Sequence, residues 1–346
     1  MHILKKITSA RMFPSLLVLA LILLFNLIVQ PGFLSLEFRD GRFVGGLMLI
    51  LNRSIPVMLL AVGMTLVIAT GGVDLSVGSV VAVAAAVAIS LIRGGDLAPT
   101  AYTAMPLIFV VLITMLVGIV LGIWNGLLIS KLNMPPVVAT LVLMVAARGL
   151  TQIITQERSL TTGHTPFGEI ASGITLGIPN QLWIGLGIFL LVWFFTRRTA
   201  LGLFIESVGA NKSAATHAGI RSNTVLIAVY AVSALCASIV GILSASSVLV
   251  IEPMNTGQDM ELSAIVAVVL GGTRMSGGKF NLGGSCIGAI ILQALHQTMT
   301  FYGVPVQFSL VIQAIVIVII IIIQSQTTRN FITSLVKGKR KEAAAS

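Results

Sequence analysis

Nine consecutive aliphatic residues, Ile315 to Ile323, stand in a chain where long apolar runs recur almost throughout. Runs of this kind restrict the fold before any motif is read. Strands that cross a bilayer alternate lipid-facing and lumen-facing residues in segments of about 10. An unbroken apolar run suits a helix, which bonds all its backbone polar groups within itself. Only 9% of the 346 residues are charged and 56% are hydrophobic, against about 25% charged in a soluble domain. The sequence predicts an all-α, polytopic membrane protein.

About 20 apolar residues cross a bilayer as a helix, and ten candidate spans are legible: 14–30, 55–70, 75–92, 105–130, 135–155, 181–196, 223–249, 262–272, 284–300 and 308–325. The first follows Lys5, Lys6 and Arg11 and mimics a signal peptide, but no small-residue cleavage site follows, so it reads as an uncleaved helix. The segment from Phe33 to Arg53 is expected to be an outer interfacial helix, the alternative being part of a further crossing. The net charge of +10 is spread between the spans instead of forming a patch with aromatics, which excludes a nucleic-acid partner. With the N-terminus inside, fifteen cations fall on the inner side: Lys5, Lys6, Arg11, Lys131, Arg197, Arg198, Lys212, Arg221, Arg274, Lys279, Arg329, Lys337, Lys339, Arg340 and Lys341. The outer side and the spans keep only Arg39, Arg42, Arg53, Arg93, Arg148 and Arg158. That imbalance predicts both termini in the cytoplasm. Residues 1–326 form the expected membrane domain and 327–346 a basic cytoplasmic tail. The two cysteines, Cys236 and Cys286, lie inside apolar segments and indicate neither a disulfide framework nor a metal site.

Two glycine pairs interrupt the pattern. Thr70-Gly71-Gly72-Val73-Asp74-Leu75-Ser76-Val77-Gly78 is echoed by Leu270-Gly271-Gly272-Thr273-Arg274-Met275-Ser276-Gly277-Gly278, which suggests an internal repeat with Asp74 answered by Arg274. The spans leading into them, 55–70 and 262–272, are short. Non-helical backbone at membrane depth survives where protein or a watery cavity satisfies it, and paired breaks in two halves of a transporter point to its central pathway. The glycines also permit tight turns and close helix packing, and both readings stand. Asp74 is the one acid lodged among apolar neighbours, costly unless paired or capped. Two roles are open to it: N-cap of a helix starting at Leu75, or ion-pair partner of Arg274. Gly71, Gly72, Asp74, Gly271, Gly272 and Arg274 are thus expected to form a hinge.

Further polar residues at membrane depth are Asn125, Arg148, Gln152 and Gln313, with Gln293, His296, Gln297 and Thr300 at helical spacing on one face of the ninth span. Asn125, Gln152, Gln293, His296 and Gln297 are the candidates for a solute pathway, interhelical hydrogen bonding being the plainer alternative. In the longest inner loop, 197–222, Asn211 can cap a short helix from Lys212 to Ala218 and Gly219 can end it in the left-handed conformation. Such a helix offers a partner protein a grip, or is simply a surface loop. His2, His164, His217 and His296 are scattered, so no metal or nucleophile constellation emerges. A P-loop needs G-x-x-x-x-G-K-[ST]. Gly278-Lys279 and Gly338-Lys339 are followed by Phe280 and Arg340 and lack the leading glycine, so this chain is not expected to be an enzyme or to bind ATP itself.

The segments Pro56 to Gly78, Gly202 to Ile220 and Glu261 to Gly272 resemble the inner-membrane permease subunits of ribose-type sugar ABC importers, over most of the chain from Leu51 to Gln326. Thr199 to Glu206 and Ile323 to Gln326 are most similar to the galactofuranose-importing branch. The resemblance implies import of a monosaccharide across the bacterial inner membrane. It also implies three partners: a cytoplasmic ABC ATPase that uses the ATP, a periplasmic sugar-binding protein, and a second permease subunit, identical or related. It further implies that Glu206 to Gly219 couples to the ATPase, through Glu206, Gly209, Asn211, Ala214, Ala215 and Gly219. The competing reading is an ion-coupled secondary transporter, which predicts a chain of intramembrane acids where this sequence has Asp74.

Overall fold

The computed structural model describes residues 13–29, 31–93 and 105–324. The tail 327–346, the cations Lys5, Lys6 and Arg11, His2 and the Gly338-Lys339 pair lie outside the described residues. The ten expected segments each coincide with a helix: α1 (Phe13–Val29), α2 (Gly46–Ala69), α3 (Val77–Arg93), α4 (Leu107–Ser130), α5 (Pro136–Thr155), α7 (Asn180–Arg198), α10 (Ser222–Val248), α11 (Met260–Leu270), α12 (Leu282–Phe301) and α13 (Val306–Gln324). Three shorter helices join them: α6 (Thr165–Ser172), α8 (Leu201–Ala210) and α9 (Lys212–His217). Among the described residues five helices, α2, α4, α5, α7 and α10, are long and apolar enough to cross a membrane. The protein is a predominantly helical, multi-pass membrane protein.

The core forms where α2, α3, α10, α11 and α12 meet, around Leu59, Met64, Val81, Ala237, Val240 and Leu270. α4 shows how the helices divide between core and lipid. One face carries exposed Ile108, Leu112, Leu116 and Val120, while Gly118, Gly122 and Gly126 form a small-residue stripe against α10. A Cβ at Gly126 would stand 2.6 Å from the Ile227 Cα, and one at Gly122 would stand 2.8 Å from the Ala231 Cα. This is the close approach that small-xxx-small spacing permits in membranes.

The segment Phe33 to Arg53 is neither an interfacial helix nor a further crossing. Glu37–Arg39 (β1) and Arg42–Val44 (β2) pair as a hairpin, with Phe38 opposite Phe43, and the following residues already belong to α2. Asp40 (φ 50°) and Gly41 (φ 75°) turn the chain in the left-handed conformation, the Asp-Gly signature of a two-residue hairpin loop. α2 is consequently 24 residues long, so of the two spans expected to be short only α11, with 11 residues, is so. Two-residue strands Leu160–Thr161 (β3) and Val250–Ile251 (β6) pair antiparallel, and Ile174–Thr175 (β4) pairs with Ile178–Pro179 (β5).

Candidate functional site: two glycine breaks and the segment that joins them

Both breaks begin with the same cap. At the end of α2 the Gly71 N–H donates to the Ile68 carbonyl (2.9 Å) and the Gly72 N–H to the Val67 carbonyl (3.2 Å). At the end of α11 the Gly272 N–H donates to Val269 (2.9 Å) and the Thr273 N–H to Val268 (3.3 Å). These are Schellman motifs, which need a left-handed residue just past the C-cap. Gly71 (φ 82°) and Gly272 (φ 81°) supply it. The structural equivalence is therefore Gly71 with Gly272, one residue out of register with the sequence echo, and Asp74 does not correspond to Arg274.

Beyond the first cap the chain runs non-helically to Ser76 and buries its charge. Asp74 is 2% exposed. Its Oδ1 accepts from the Ser76 N–H (3.0 Å) and the Ser76 hydroxyl (2.6 Å), and its Oδ2 accepts from the Ser233 hydroxyl (3.1 Å). Ser233 lies near the middle of the 27-residue α10, so the carboxylate sits deep in the bundle. The Ser76 hydroxyl in turn accepts from Asn125 Nδ2 (3.0 Å), which ties α4 to the break. Asp74 thus braces the turn ahead of α3 instead of capping a helix at Leu75, and α3 begins at Val77 after the Ser76 carbonyl takes the Val80 N–H (2.9 Å). Arg274 is exposed on the second break and is not among the partners of Asp74. Asn125 Oδ1 and the Tyr230 hydroxyl are buried beside this network without a hydrogen-bond partner among the described residues.

The second break is longer and more open. Met275 is 50% exposed, and α12 resumes only at Leu282, where the Asn281 carboxamide accepts from the Gly284 N–H (3.2 Å) as N-cap. The Gly278 N–H donates to the Ala69 carbonyl (2.8 Å), so this break is bonded to the end of α2.

The 197–222 loop folds locally as its residues predict. Asn211 Oδ1 accepts from the Ala214 N–H (2.9 Å), α9 runs from Lys212 to His217, and Gly219 (φ 86°) closes it in the left-handed conformation. Ala215 is buried against Val208 and Leu226, while Ala214 faces outward. A cleft of about 290 Å³ lies between this segment and the first break, with Thr70, Gly71, Asn133, Lys212 and Tyr230 among its lining. Glu206 Oε1 lies 3.8 Å from Arg197 Nη1, and Arg197 also donates from Nη2 to the Phe280 carbonyl (2.9 Å).

The pathway candidates are not brought into one cavity. Asn125 joins the Asp74 network. Gln152 Nε2 meets Met254 Sδ (3.0 Å), and Arg148 Nη1 donates to the Thr256 carbonyl (2.6 Å), so α5 clasps the loop after β6. On α12, Gln297 is buried and accepts from Arg53 Nη1 at 3.4 Å. His296 and Thr300 are exposed and Gln293 is half-buried. The four-residue face therefore splits between α2 and the outside. Ser233 and Tyr230 are the residues sequence reading missed. A serine and a tyrosine in an apolar helix carry no signal that a carboxylate lies across from them.

The model of a family described as branched-chain amino acid transport system / permease component matches residues 46–321. The galactofuranose transporter permease of Escherichia coli K12 is 42% identical over 94% of this chain and 92% of its own length. The fructose import permease of Bifidobacterium longum is 37% identical over 98% and 94%, and the ribose import permease of E. coli K12 is 35% identical over 89% and 93%. No solved structure matches. With the family model covering both breaks and the segment between them, the chain belongs to this permease-component family, a transport subunit of the membrane.

Proposed function

We propose that the chain is the permease subunit of an ATP-driven importer of a monosaccharide, with a galactofuranose-type sugar as the leading substrate. The observation that carries this reading is 35–42% identity over 89–98% of the chain to permeases whose names specify galactofuranose, fructose and ribose. In this reading residues 1–326 cross the bacterial inner membrane ten times as two related halves, the tail 327–346 and both termini lie in the cytoplasm, and lipid surrounds the exposed apolar faces. α8 and α9 couple to a cytoplasmic ABC ATPase through Glu206, Gly209, Asn211, Ala214, Ala215 and Gly219. A periplasmic sugar-binding protein delivers the solute, and a second permease subunit completes the conduit. Support for the coupling role comes from α8 and α9 sharing one end of the bundle with both glycine breaks.

A neutral, hydroxyl-rich solute needs amide and hydroxyl partners strong enough to replace water and weak enough to release it. Asn125, Gln152, Gln293, His296 and Gln297 are the proposed contributors, and Gly71, Gly72, Asp74, Gly271, Gly272 and Arg274 the hinge. ATP binds the partner and not this chain. The test is reconstitution in liposomes with and without the ATPase and the binding protein. Galactofuranose uptake that requires both proteins and ATP is expected, with weaker uptake of ribose and fructose. Uptake by the chain alone, driven by a proton or sodium gradient, would overturn the reading.

A further inference from the structure

Three backbone segments from distant parts of the chain meet at Gly209 with no side chain between them. A Cβ at Gly209 would run into the Ala69 carbonyl oxygen at the end of α2 and stand 2.7 Å from the Gly278 nitrogen in the second break. A Cβ at Gly277 would stand 2.9 Å from the Gly209 carbonyl oxygen and 3.0 Å from the Gly71 nitrogen in the first break. The Gly278 N–H to Ala69 hydrogen bond (2.8 Å) closes the triangle. One turn earlier on α8, Glu206 faces Arg197 (3.8 Å). The same guanidinium donates to the Phe280 carbonyl and lies 5.1 Å from the centre of the buried Phe280 ring. α8 is therefore packed directly against the second break and the end of α2 at Gly209, and is linked to the second break again through Arg197 at the end of α7.

We propose that Gly209 is a positioning residue that passes motion of the α8–α9 segment to both glycine breaks at once; this rests on the coupling role proposed above. The physical reason lies in what each kind of contact absorbs. Side chains take up a displacement by changing rotamer, whereas close-packed backbones in contact have no such freedom and move together. A shift of α8 relative to the bundle must displace the end of α2 or the second break, because Gly209 leaves no gap to either. The first break leads directly into the Asp74 network at mid-bundle, so the shift reaches the depth of the membrane.

The experiment uses the full complex with its ATPase and binding protein in liposomes, measuring sugar taken up per ATP hydrolysed. Gly209→Ala is expected to keep ATP hydrolysis while lowering that ratio about tenfold, with Gly277→Ala acting in the same direction. The double variant should be no worse than the worse single one, since both disturb one junction. Gly187→Ala, at an α7 position with open space around it, is the control expected to keep the ratio. If Gly209→Ala fails to assemble, Arg197→Gln removes the side-chain tie and leaves the backbone untouched, and a lowered ratio is again expected. An unchanged ratio in an assembled Gly209→Ala complex, or in Arg197→Gln where that variant decides, would overturn the proposal. Absence of ATP-dependent uptake by the unmodified complex would instead sink the coupling role on which it rests.

Discussion

The two breaks share a cap and little else. Each ends a helix with a glycine at φ near 80° and the same pair of backbone hydrogen bonds. After that the first turns inward and surrounds a buried carboxylate with two serines, while the second runs out to an exposed Arg274 and returns through an asparagine cap. Identical cap chemistry thus opens one closed segment and one loose one. A side-chain network deep in the bundle holds the first in a single arrangement, because burying its polar groups without partners is costly. The second is held by a backbone bond to α2, by the Arg197 hydrogen bond to the Phe280 carbonyl and by backbone packing at Gly209; lacking a buried side-chain network of its own, it has more freedom to move of the two.

The largest effect that would break this comparison belongs to Asp74. Asp74→Ala strands the Ser233 hydroxyl and removes the acceptor of both Ser76 donors. It should cost ~3 kcal/mol, since each buried group left unsatisfied costs roughly 1–3 kcal/mol, read as a lowered unfolding midpoint in detergent. Asp74→Asn keeps an acceptor for Ser76 and should cost less than half as much. The charge swap of Asp74→Arg with Arg274→Asp should be no more stable than Asp74→Arg alone, because the carboxylate is held by serines. Recovery in the double variant would show that the two breaks are joined by charge after all.

The helices were legible because hydropathy alone locates apolar runs of this length, and the ends of α9 were legible because Asn211 and Gly219 are residue types suited to only a few backbone positions. Two further features are written in the sequence and were missed: Asp40-Gly41 between Phe38 and Phe43 spells a hairpin, and Gly118, Gly122 and Gly126 spell a packing seam. The Asp74–Arg274 equivalence went wrong for a physical reason. A repeat of letters aligns Gly71 with Gly271, but a Schellman cap is set by which residue follows the C-cap, and α11 extends one residue further relative to its motif. Ser233 was beyond reach, since 159 positions separate it from Asp74 and only tertiary packing brings them together.

A smaller effect sharpens the closed character of the first break. Gly72 does not lie in the left-handed region, but a Cβ there would collide with the hydroxyl of Tyr230, which is fully buried and has no hydrogen-bond partner among the described residues. Gly72→Ala should cost about 1–2 kcal/mol by overpacking. Tyr230→Phe removes a polar atom that burial leaves unsatisfied, so alone it should be neutral or slightly stabilising. The two together should recover most of the loss in a double-mutant cycle. Additive losses would place the clash elsewhere and make the first break no tighter than the second.

The smallest effect belongs to the open break, where Asn281 supplies a local cap and not a network. Its Oδ1 takes the Gly284 N–H at 3.2 Å, its own N–H donates to the Thr273 hydroxyl at 3.2 Å, and the absence of a Cβ at Gly284 lets the carboxamide lie 2.8 Å from where that atom would stand. Asn281→Ala should therefore cost ~1 kcal/mol and Asn281→Gly only a few tenths, the usual ranking at an N-cap, whereas Asn281→Asp should be nearly neutral, since it keeps the acceptor and adds a negative charge at a helix N-terminus. The backbone bond from Asn281 to Thr273 survives all three changes, so the loss reports the cap alone. If Asn281→Ala costs as much as Asp74→Ala in the same melting assay, the second break is braced as firmly as the first, and the freedom assigned to it must lie elsewhere in the chain.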